Sequence, residues 1–267
     1  MLPLGKKPFA PDDRDIKFRG ILPAAVAETL PPAPPRFGWG LSYPDWGMLG
    51  NGPGADNPAG ALDGVGDCVP AEAAHETRLL NHTVGVEVEF DPSVVIADYS
   101  AVTGYVLGEP NTDQGTEPRE YFLYRQKTGI LDSAGNRHKI GAFVGLTAGD
   151  VDELLAAAYW FECVGVGIQF PDTAMEQFNQ GQPWDVVSGA NIEGGHMIVG
   201  TGRRQPDDNG ILTWGRRQGM TDAFYRTYND ESWVFVSEEE LRNGVSRRGL
   251  TLDKLNAQLQ NLGIVTA

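Results

Sequence analysis

Cys68 lies at the predicted start of a helix, where a thiol could act as a nucleophile. It follows Gly-Asp and opens the helical pattern DCVPAEAAHETRLLNH, in which Asp67 is the expected N-cap. Pro70 falls in the first turn, where its missing N–H costs nothing. A thiol at a helix N-terminus lies near unpaired backbone N–H groups, which favour the thiolate. Two interpretations are open at this point, a buried structural thiol or a nucleophile.

A nucleophilic thiol needs a base, and the chain has four histidines. His75 lies two helical turns beyond Cys68, roughly 10 Å along the axis, which is too far for a hydrogen bond. His82, at the helix end, and His138, in a polar turn, are expected at the surface. His196 is the remaining candidate, because GGHMIVG places it at the start of an apolar strand where two glycines admit a close approach. A hydrogen-bonded core histidine is the alternative interpretation.

Composition limits the classes of function. The 267 residues are 41% hydrophobic and 21% charged, which is typical of a globular protein with a core. The formal charge of −15 repels polyanions, so neither nucleic acid nor an anionic membrane is an expected partner. No apolar run is as long as a membrane helix, and the first residues lack the apolar segment of a signal peptide. Synthesis and folding are therefore expected in the cytoplasm.

The cysteine count argues against a disulfide framework. Cys68 and Cys163 are the two cysteines, and a single bridge between them stays open. The cysteines and histidines show no zinc-type spacing such as CxxC. We therefore expect no metal and no cofactor.

The chain divides into an arm and a domain. Residues 1–45 are rich in proline and follow no helical or alternating period, which predicts an extended arm, and residues 46–267 are the predicted domain. Helical patterns dominate the first half of the domain and strands the second, which indicates an α+β fold with two lobes. Helices are expected within 67–82, 91–108, 116–130, 148–161 and 172–181, and in the C-terminal segments SEEELRNG and TLDKLNAQLQNLG. Strands are expected within 139–147, 163–170, 194–202, 210–215 and 231–236, with RRQPDDN as a turn.

Several of these segments together resemble a known family. GDCVPAEAAH, GGHMIVGTG and ILTWG resemble, in order, the Cys helix, the His strand and the Asn-Ser-Trp-Gly strand of papain-like cysteine peptidases. GMLGN, NTDQG and NDESWVFV extend the resemblance to papain-like proteins encoded by tailed phages and bacteria. The match covers roughly residues 46–237. It implies a papain-like two-lobe fold, with an N-terminal helical lobe carrying the Cys helix and a C-terminal antiparallel β lobe.

The resemblance also implies roles for particular residues. Cys68 would be the nucleophile, and His196 would act as base toward the thiol and as acid toward the leaving group. Trp214 would shield the imidazole from water. The N–H of Cys68 is one candidate donor to an oxyanion, and Asn51 is the side-chain candidate, although an enlarged loop separates it from the cysteine.

Three features depart from the family pattern. Leu212 stands where the family has the Asn that orients the histidine, which leaves Thr213 as the nearest polar substitute. The loop before the cysteine is enlarged. Glu72 lies one helical turn beyond Cys68, and its charge, together with that of Asp67, is expected to oppose the thiolate.

Two functions follow from these residues. The first is a papain-like thiol hydrolase of phage or virion origin that cleaves a peptide or amide substrate with a Cys68–His196 dyad. The alternative is a catalytically lapsed structural or interaction component of a phage particle, which would contact other particle proteins through residues 1–45 and reside in the virion.

Two further polar clusters have structural interpretations beside functional ones. Asp230 and Glu231 precede the strand SWVFV, where they would either pair with an arginine of GRRQG or lie on a solvated strand edge. The loop Asn111–Thr116 would either bind a cation or cap the next helix.

Overall fold

A seven-stranded antiparallel sheet forms the centre of the described chain. The structure is a computed structural model that describes residues 2–18, 33–38, 46–53, 64–83 and 85–237. The strand order is β4-β9-β5-β6-β7-β8, with β1 also paired to β6, and β2 and β3 form a separate pair. The strands are β1 (Phe37–Gly38), β2 (Ile130–Leu131), β3 (Arg137–His138), β4 (Ile140–Gly145), β5 (Val164–Pro171), β6 (Ile192–Gln205), β7 (Asp208–Thr213), β8 (Arg216–Met220) and β9 (Asn229–Ser237).

Six α-helices accompany this sheet in the described ranges. They are α1 (Cys68–His82), α2 (Pro92–Thr103), α3 (Pro118–Lys127), α4 (Val151–Phe161), α5 (Asp172–Asn179) and α6 (Asp222–Tyr228). The predicted mixture of helices and antiparallel strands is confirmed. Asp150 caps α4 as predicted, because its side chain accepts from the backbone N–H of Glu153. None of these helices combines the length and the apolar composition needed to cross a bilayer.

Helices cover both faces of the sheet. On β9, Trp233 and Phe235 pack with residues of α1 and α3, whereas Val234 and Val236 pack with residues of α4 and α6. Successive side chains of a strand point to opposite faces, so both faces of β9 are buried. This explains why SWVFV and VGVGIQF are nearly continuous apolar runs rather than alternating ones.

The second half of the chain differs from the sequence prediction in three places. The seven-residue turn RRQPDDN is mostly strand, because Gln205 pairs with Asp208 and leaves two residues in the turn. The WG of ILTWG is not strand but a turn between β7 and β8, with Trp214 at φ 47° and Gly215 at φ 69°. β8 and α6 were not predicted, because RRQGM is polar and DAFYRTY is too short to show a period. Both predicted C-terminal helices lie essentially outside the described residues.

Residues 2–18 lie against the rest of the chain. The ring of Phe18 is buried in the core on the α4 side of the sheet, and the carbonyl of Ile16 accepts from Gly145 N at 2.8 Å. Further along the predicted arm, β1 pairs with Arg203 and Gly202 of β6. The boundary at residue 46 and the division into two lobes stay predictions.

Arg125 joins the helix that carries Cys68 to its neighbours. Its side chain, on α3, is 1% exposed, and Nη1 donates to Glu76 Oε2 on α1 at 3.0 Å. The guanidinium also lies 4.5 Å from the ring centroid of Phe235 on β9. One buried cation therefore links α1, α3 and β9.

We expect Arg125→Met to lower the free energy of unfolding by about 3–5 kcal/mol, because removing one member of a buried ion pair leaves the other charge uncompensated. Urea denaturation followed by circular dichroism measures this change. Arg14→Met is the matched control, since that side chain is 78% exposed and its pair with Asp12 faces solvent. Equal urea midpoints for the two variants would contradict the role assigned to Arg125.

Candidate active site

Cys68 begins α1 and is almost completely buried, with 1% of its surface exposed. Burial raises the pKa of its thiol to about 12, although the backbone N–H groups of Met197 and Gly5 favour the thiolate. Asp67 occupies the predicted N-cap position, but its side chain makes no capping hydrogen bond. No disulfide bond links Cys68 and Cys163.

His196 lies on β6 and is almost completely buried. The ring stacks on Trp214, with centroids 4.3 Å apart and planes 20° apart. Its Nε2 shares a 2.8 Å hydrogen bond with Thr213 Oγ1. Its Nδ1 is buried and has no hydrogen-bond partner among the described residues. Burial lowers the pKa of His196 to about 3, so the imidazole is neutral in this arrangement.

The structure brings all five predicted site residues to one cavity. Its volume is only about 10 Å³. The predicted residues that line it are Cys68, His196, Thr213, Trp214 and Asn51. The head of α1 and the β6–β7 pair are far apart along the chain, so their proximity is a property of the tertiary structure.

The other histidines bond elsewhere. His75 Nε2 lies 2.9 Å from the carbonyl oxygen of Gly47, and burial lowers the pKa of His75 to about 4. His82 pairs with Glu87 at 2.7 Å. His138, expected at the surface, has a side chain that is only 14% exposed and lies 3.2 Å from Asp132. Within the described ranges, no group of three or more His, Cys, Asp or Glu side chains is placed to hold a metal ion.

Glu72 does not oppose the thiolate as expected. It is 2% exposed, and burial together with the charge of Glu76 raises its pKa well above the usual value. A raised pKa favours the protonated, uncharged form of the carboxyl group, which weakens the opposition to the thiolate expected of Glu72. The remaining negative charge that disfavours the thiolate is that of Asp67.

Asn51 returns to the head of α1 despite the enlarged loop. Val65 N donates to Gly50 O at 2.9 Å, which holds the two ends of the loop together. The side-chain amide of Asn51 donates to Val65 O at 3.0 Å and to Pro3 O at 3.5 Å. Asn51 Nδ2 therefore reaches a main-chain carbonyl that lies in the cleft.

Thr213, not Leu212, contacts the imidazole. Leu212 packs in an apolar cluster with Leu79 and Leu80 of α1. Neighbouring side chains on a strand point in opposite directions, so the side chain of Thr213 points away from that cluster. The hydroxyl of Thr213 thereby occupies the position next to His196 Nε2.

Residues 3–8, here called the cleft segment, run through the groove above Cys68. Thr116 N donates to Gly5 O at 2.7 Å, and Lys7 N donates to Thr116 O at 2.9 Å. On the other side, Lys6 N donates to Gly195 O at 3.0 Å. The cleft segment therefore bridges the two walls of the groove through backbone hydrogen bonds around Lys6.

The walls of this groove are glycines. A Cβ atom at Gly115 would lie 2.3 Å from Gly5 O, and one at Gly195 would lie 2.2 Å from Lys6 O. Gly5 is equally constrained, because a Cβ atom there would lie 1.7 Å from Gly66 O. Backbone meets backbone at each of these points, so a side chain at any of them would displace the cleft segment.

Asp113 orders one wall of the groove, a role that the sequence did not indicate. Its carboxylate accepts from Gly66 N at 2.8 Å and from Tyr99 OH at 2.5 Å, and Tyr99 OH accepts from Gly115 N at 3.0 Å. The N-cap of α3 is Glu117 rather than the preceding loop. The NTDQG motif was the sequence feature that could have indicated this role. In the structure the motif positions the backbone of Thr116, which bonds to the cleft segment.

Asp230 and Glu231 pair with a lysine, not with an arginine of GRRQG. Lys6 Nζ lies 3.0 Å from Asp230 Oδ2 and 2.8 Å from Glu231 Oε1. The Lys6 side chain is completely buried, and that of Glu231 is 3% exposed. The prediction of a solvated strand edge is therefore also wrong for Glu231.

Comparison with known proteins gives the fold a name. No protein-family model and no curated protein sequence matches the chain. Among solved structures, xylellain, a cysteine protease from Xylella fastidiosa, is similar with a TM-score of 0.63 and 14% identity over 88% of this chain and 96% of that one. The chain has a papain-like fold.

Two procathepsins are similar as well. Procathepsin B from Trypanosoma congolense has a TM-score of 0.55 and 9% identity, over 88% of this chain and 87% of that one. Procathepsin L2 from the larval midgut of Tenebrio molitor has a TM-score of 0.54 and 12% identity, over 87% of this chain and 78% of that one. At these identities the likeness to papain-like cysteine proteases concerns the fold.

We expect Cys68 to resist iodoacetamide at pH 7.5 until the cleft segment is displaced. The neutral thiol is the poor nucleophile, and its raised pKa reflects burial, so water reaching the sulfur lowers the pKa and raises the rate. Gly5→Val should therefore accelerate alkylation of Cys68 by about 10²-fold or more, measured by peptide mass mapping. Ala10→Val, at an exposed position just beyond the cleft segment, should react like the unmodified protein. Equal rates for all three proteins would show that the cleft segment does not protect the thiol.

Proposed function

We propose that the chain is a papain-like thiol hydrolase of peptide or amide bonds, with Cys68 as nucleophile and His196 as general base and acid. The observation that carries this proposal is the cavity that both side chains line, in which His196 Nε2 is bonded and Nδ1 has no hydrogen-bond partner among the described residues. Nδ1 is then the nitrogen left to take a proton from the thiol. The papain-like fold supports the same chemistry.

The proposed reaction passes through a thioester on Cys68, and His196 carries the proton in both of its steps. His196 Nδ1 removes the thiol proton, and the sulfur of Cys68 attacks the carbonyl carbon of the scissile bond. The C–N bond breaks as His196 gives the proton to the leaving amine, which leaves a thioester on Cys68. Water, deprotonated by His196, then attacks the thioester, and the carboxylic acid and the thiol are released.

The oxyanion of the tetrahedral intermediates requires donors. The N–H of Cys68 belongs to the first turn of α1, where backbone N–H groups have no partner within the helix. Asn51 Nδ2 is the second proposed donor, since it already reaches a main-chain carbonyl in the cleft. Both are preorganised, because Asn51 is fixed by Val65 and Cys68 by the helix.

The cleft segment fits a closed form of the enzyme. Gly5 N–H points at the Cys68 thiol, whereas the Gly5 carbonyl bonds to Thr116 N. The Gly5–Lys6 peptide bond is therefore held with its oxygen away from the proposed donors, which protects it from attack. The similarity to two procathepsins agrees with a closed form, and activity requires that residues 3–8 leave the groove.

We expect Gly5→Val to hydrolyse a fluorogenic peptide library at least about tenfold faster than the unmodified chain, because a side chain at position 5 cannot fit against Gly66 O. Gly5→Val/Cys68→Ala should be inactive, and Ala10→Val should behave like the unmodified chain. Continuous fluorescence at pH 7 measures the rates. Activity that survives Cys68→Ala would overturn the assignment of the nucleophile.

Thr213 is the proposed positioning residue for His196. In the Gly5→Val background, we expect Thr213→Val to lower kcat by about 10²- to 10⁴-fold with little change in KM, because the imidazole loses the hydrogen bond that orients it. Thr213→Ser keeps the hydroxyl and should restore kcat to within about threefold. Equal loss in both variants would mean that Thr213 matters for packing and not for orientation.

The filled cleft also favours a second candidate, a structural or interaction component that keeps the fold without catalysis. Cys68 is 1% exposed, and Leu212 occupies the position of the family's orienting residue. The phage or virion origin expected for either function, the virion location and the docking of residues 1–45 on particle proteins stay predictions. This candidate is favoured if Gly5→Val exposes a thiol that reacts with iodoacetamide but hydrolyses no peptide.

A further inference from the structure

A buried acidic recess opens off the groove beside Cys68, and the side chain of Lys6 fills it. Asp230 and Glu231 form its end, at 3.0 and 2.8 Å from the ammonium nitrogen. Glu231 is fixed in turn, because Trp233 Nε1 donates to its second carboxylate oxygen at 2.7 Å. The recess therefore presents two carboxylates, 3% exposed at Glu231 and 14% exposed at Asp230, to one cation whose side chain is completely buried.

The depth of the recess depends on a glycine in β5. A Cβ atom at Gly167 would lie 2.7 Å from Lys6 Cε and 2.6 Å from Glu231 Cγ. Any side chain at this position would occupy the space through which the lysine stem passes. The recess is thus a channel in the sheet side of the groove, wide enough for a straight alkyl chain.

The mouth of the recess lies next to the sulfur. Gly5 N–H contacts the thiol of Cys68, and Lys6 is the following residue. Consecutive Cα atoms are about 3.8 Å apart, so the chain enters the recess within about one or two residues of the point at which it crosses the sulfur. Lys6 is also bonded through its backbone to Gly195, the residue before His196.

We propose that this recess is a specificity site, in which Asp230 and Glu231 bind a lysine or arginine side chain of the substrate within about two residues of the bond that Cys68 attacks. This inference rests on the proposed function. Once Lys6 leaves with the cleft segment, two carboxylates remain in a site that favours a cation.

The chemistry of the recess discriminates against other side chains. Asp230 Oδ1 is buried and accepts no hydrogen bond among the described residues, so the site can accept more donors than Lys6 supplies. An apolar side chain would leave both carboxylates unpaired, and an acidic one would add repulsion. A basic residue is the class that satisfies the site.

The test uses peptides that differ only at one position, which carries lysine, norleucine or glutamate. Norleucine has a straight alkyl chain like that of lysine but no ammonium group. The variable residue is placed in turn at each of the three positions on either side of the cleaved bond. All peptides are assayed with the Gly5→Val protein. At one position we expect kcat/KM for lysine to exceed that for norleucine by about tenfold or more, the effect of one charge-assisted hydrogen bond.

The variant that tests the assignment is Asp230→Asn/Glu231→Gln, which keeps an acceptor for Trp233 Nε1. It should remove the preference for lysine, so that kcat/KM for the lysine peptide falls to within about threefold of kcat/KM for the norleucine peptide in the same variant. Glu120→Gln/Asp152→Asn is the matched control, because it removes two exposed carboxylates that line neither the groove nor the recess. A lysine preference that survives in the Asp230/Glu231 variant would overturn the proposal.

A binding measurement separates this proposal from the proposed function. Fluorescein-labelled versions of the same peptides are titrated into Gly5→Val/Cys68→Ala, and fluorescence anisotropy gives Kd. Tighter binding of the lysine peptide by about tenfold supports the recess even if no variant hydrolyses any peptide, a result that would reject only the hydrolase. Equal Kd values for lysine and norleucine at every position would show that the recess serves Lys6 alone and would overturn the proposal.

Discussion

The exclusion of water from the sulfur of Cys68 governs the state of this site. A thiolate and an imidazolium are both charged, and each loses its hydration when buried. With the cleft segment in place, the pKa of Cys68 rises to about 12 and that of His196 falls to about 3, so both groups are neutral. The arrangement of Cys68 and His196 and their protonation states are thus separate properties. The six residues of the cleft segment determine the protonation states.

The glycines that let the cleft segment lie in the groove would also let the backbone of a substrate peptide lie there. Glycines at positions 66, 115 and 195 let a backbone lie against the walls, and Thr116 and Gly195 offer main-chain groups on either side. Main-chain hydrogen bonds bind any peptide in an extended conformation and carry no sequence preference. The recess that holds Lys6 is therefore the feature of this groove that distinguishes one side chain from another.

The sequence predicted the elements well and their polar contacts poorly. The pattern around Cys68 gave the helix, and the glycines before His196 gave a strand with room beside it, because both depend on local period and turn chemistry. The sequence predicted the contact of Thr213 with His196 only in part. Side chains alternate along a strand, so which residue faces the ring depends on its exact position in the strand. A one-residue difference in register moves a side chain to the opposite face.

The spacing of residues in the sequence could not predict ion pairs between distant parts of the chain. Lys6 and Glu231 are separated by almost the whole described chain, and nothing near either residue indicates the other. The raised pKa of Glu72 was missed for a related reason, because it depends on how completely the packed helix excludes water. Helix α1 is buried on nearly all sides, so its polar residues carry no amphipathic pattern that would reveal their surroundings.

Lys6 links the two proposals through the charge at the head of α1. Its ammonium group favours the thiolate of Cys68, whereas Asp67 opposes it. When the cleft segment leaves, that cation leaves too, and the carboxylates of Asp230 and Glu231 are left without it. A basic substrate residue in the recess would restore the positive charge at the position that Lys6 had held. On this reasoning, occupancy of the recess would favour the thiolate as well as the bound substrate, so selectivity for a basic residue would appear in kcat as well as in KM.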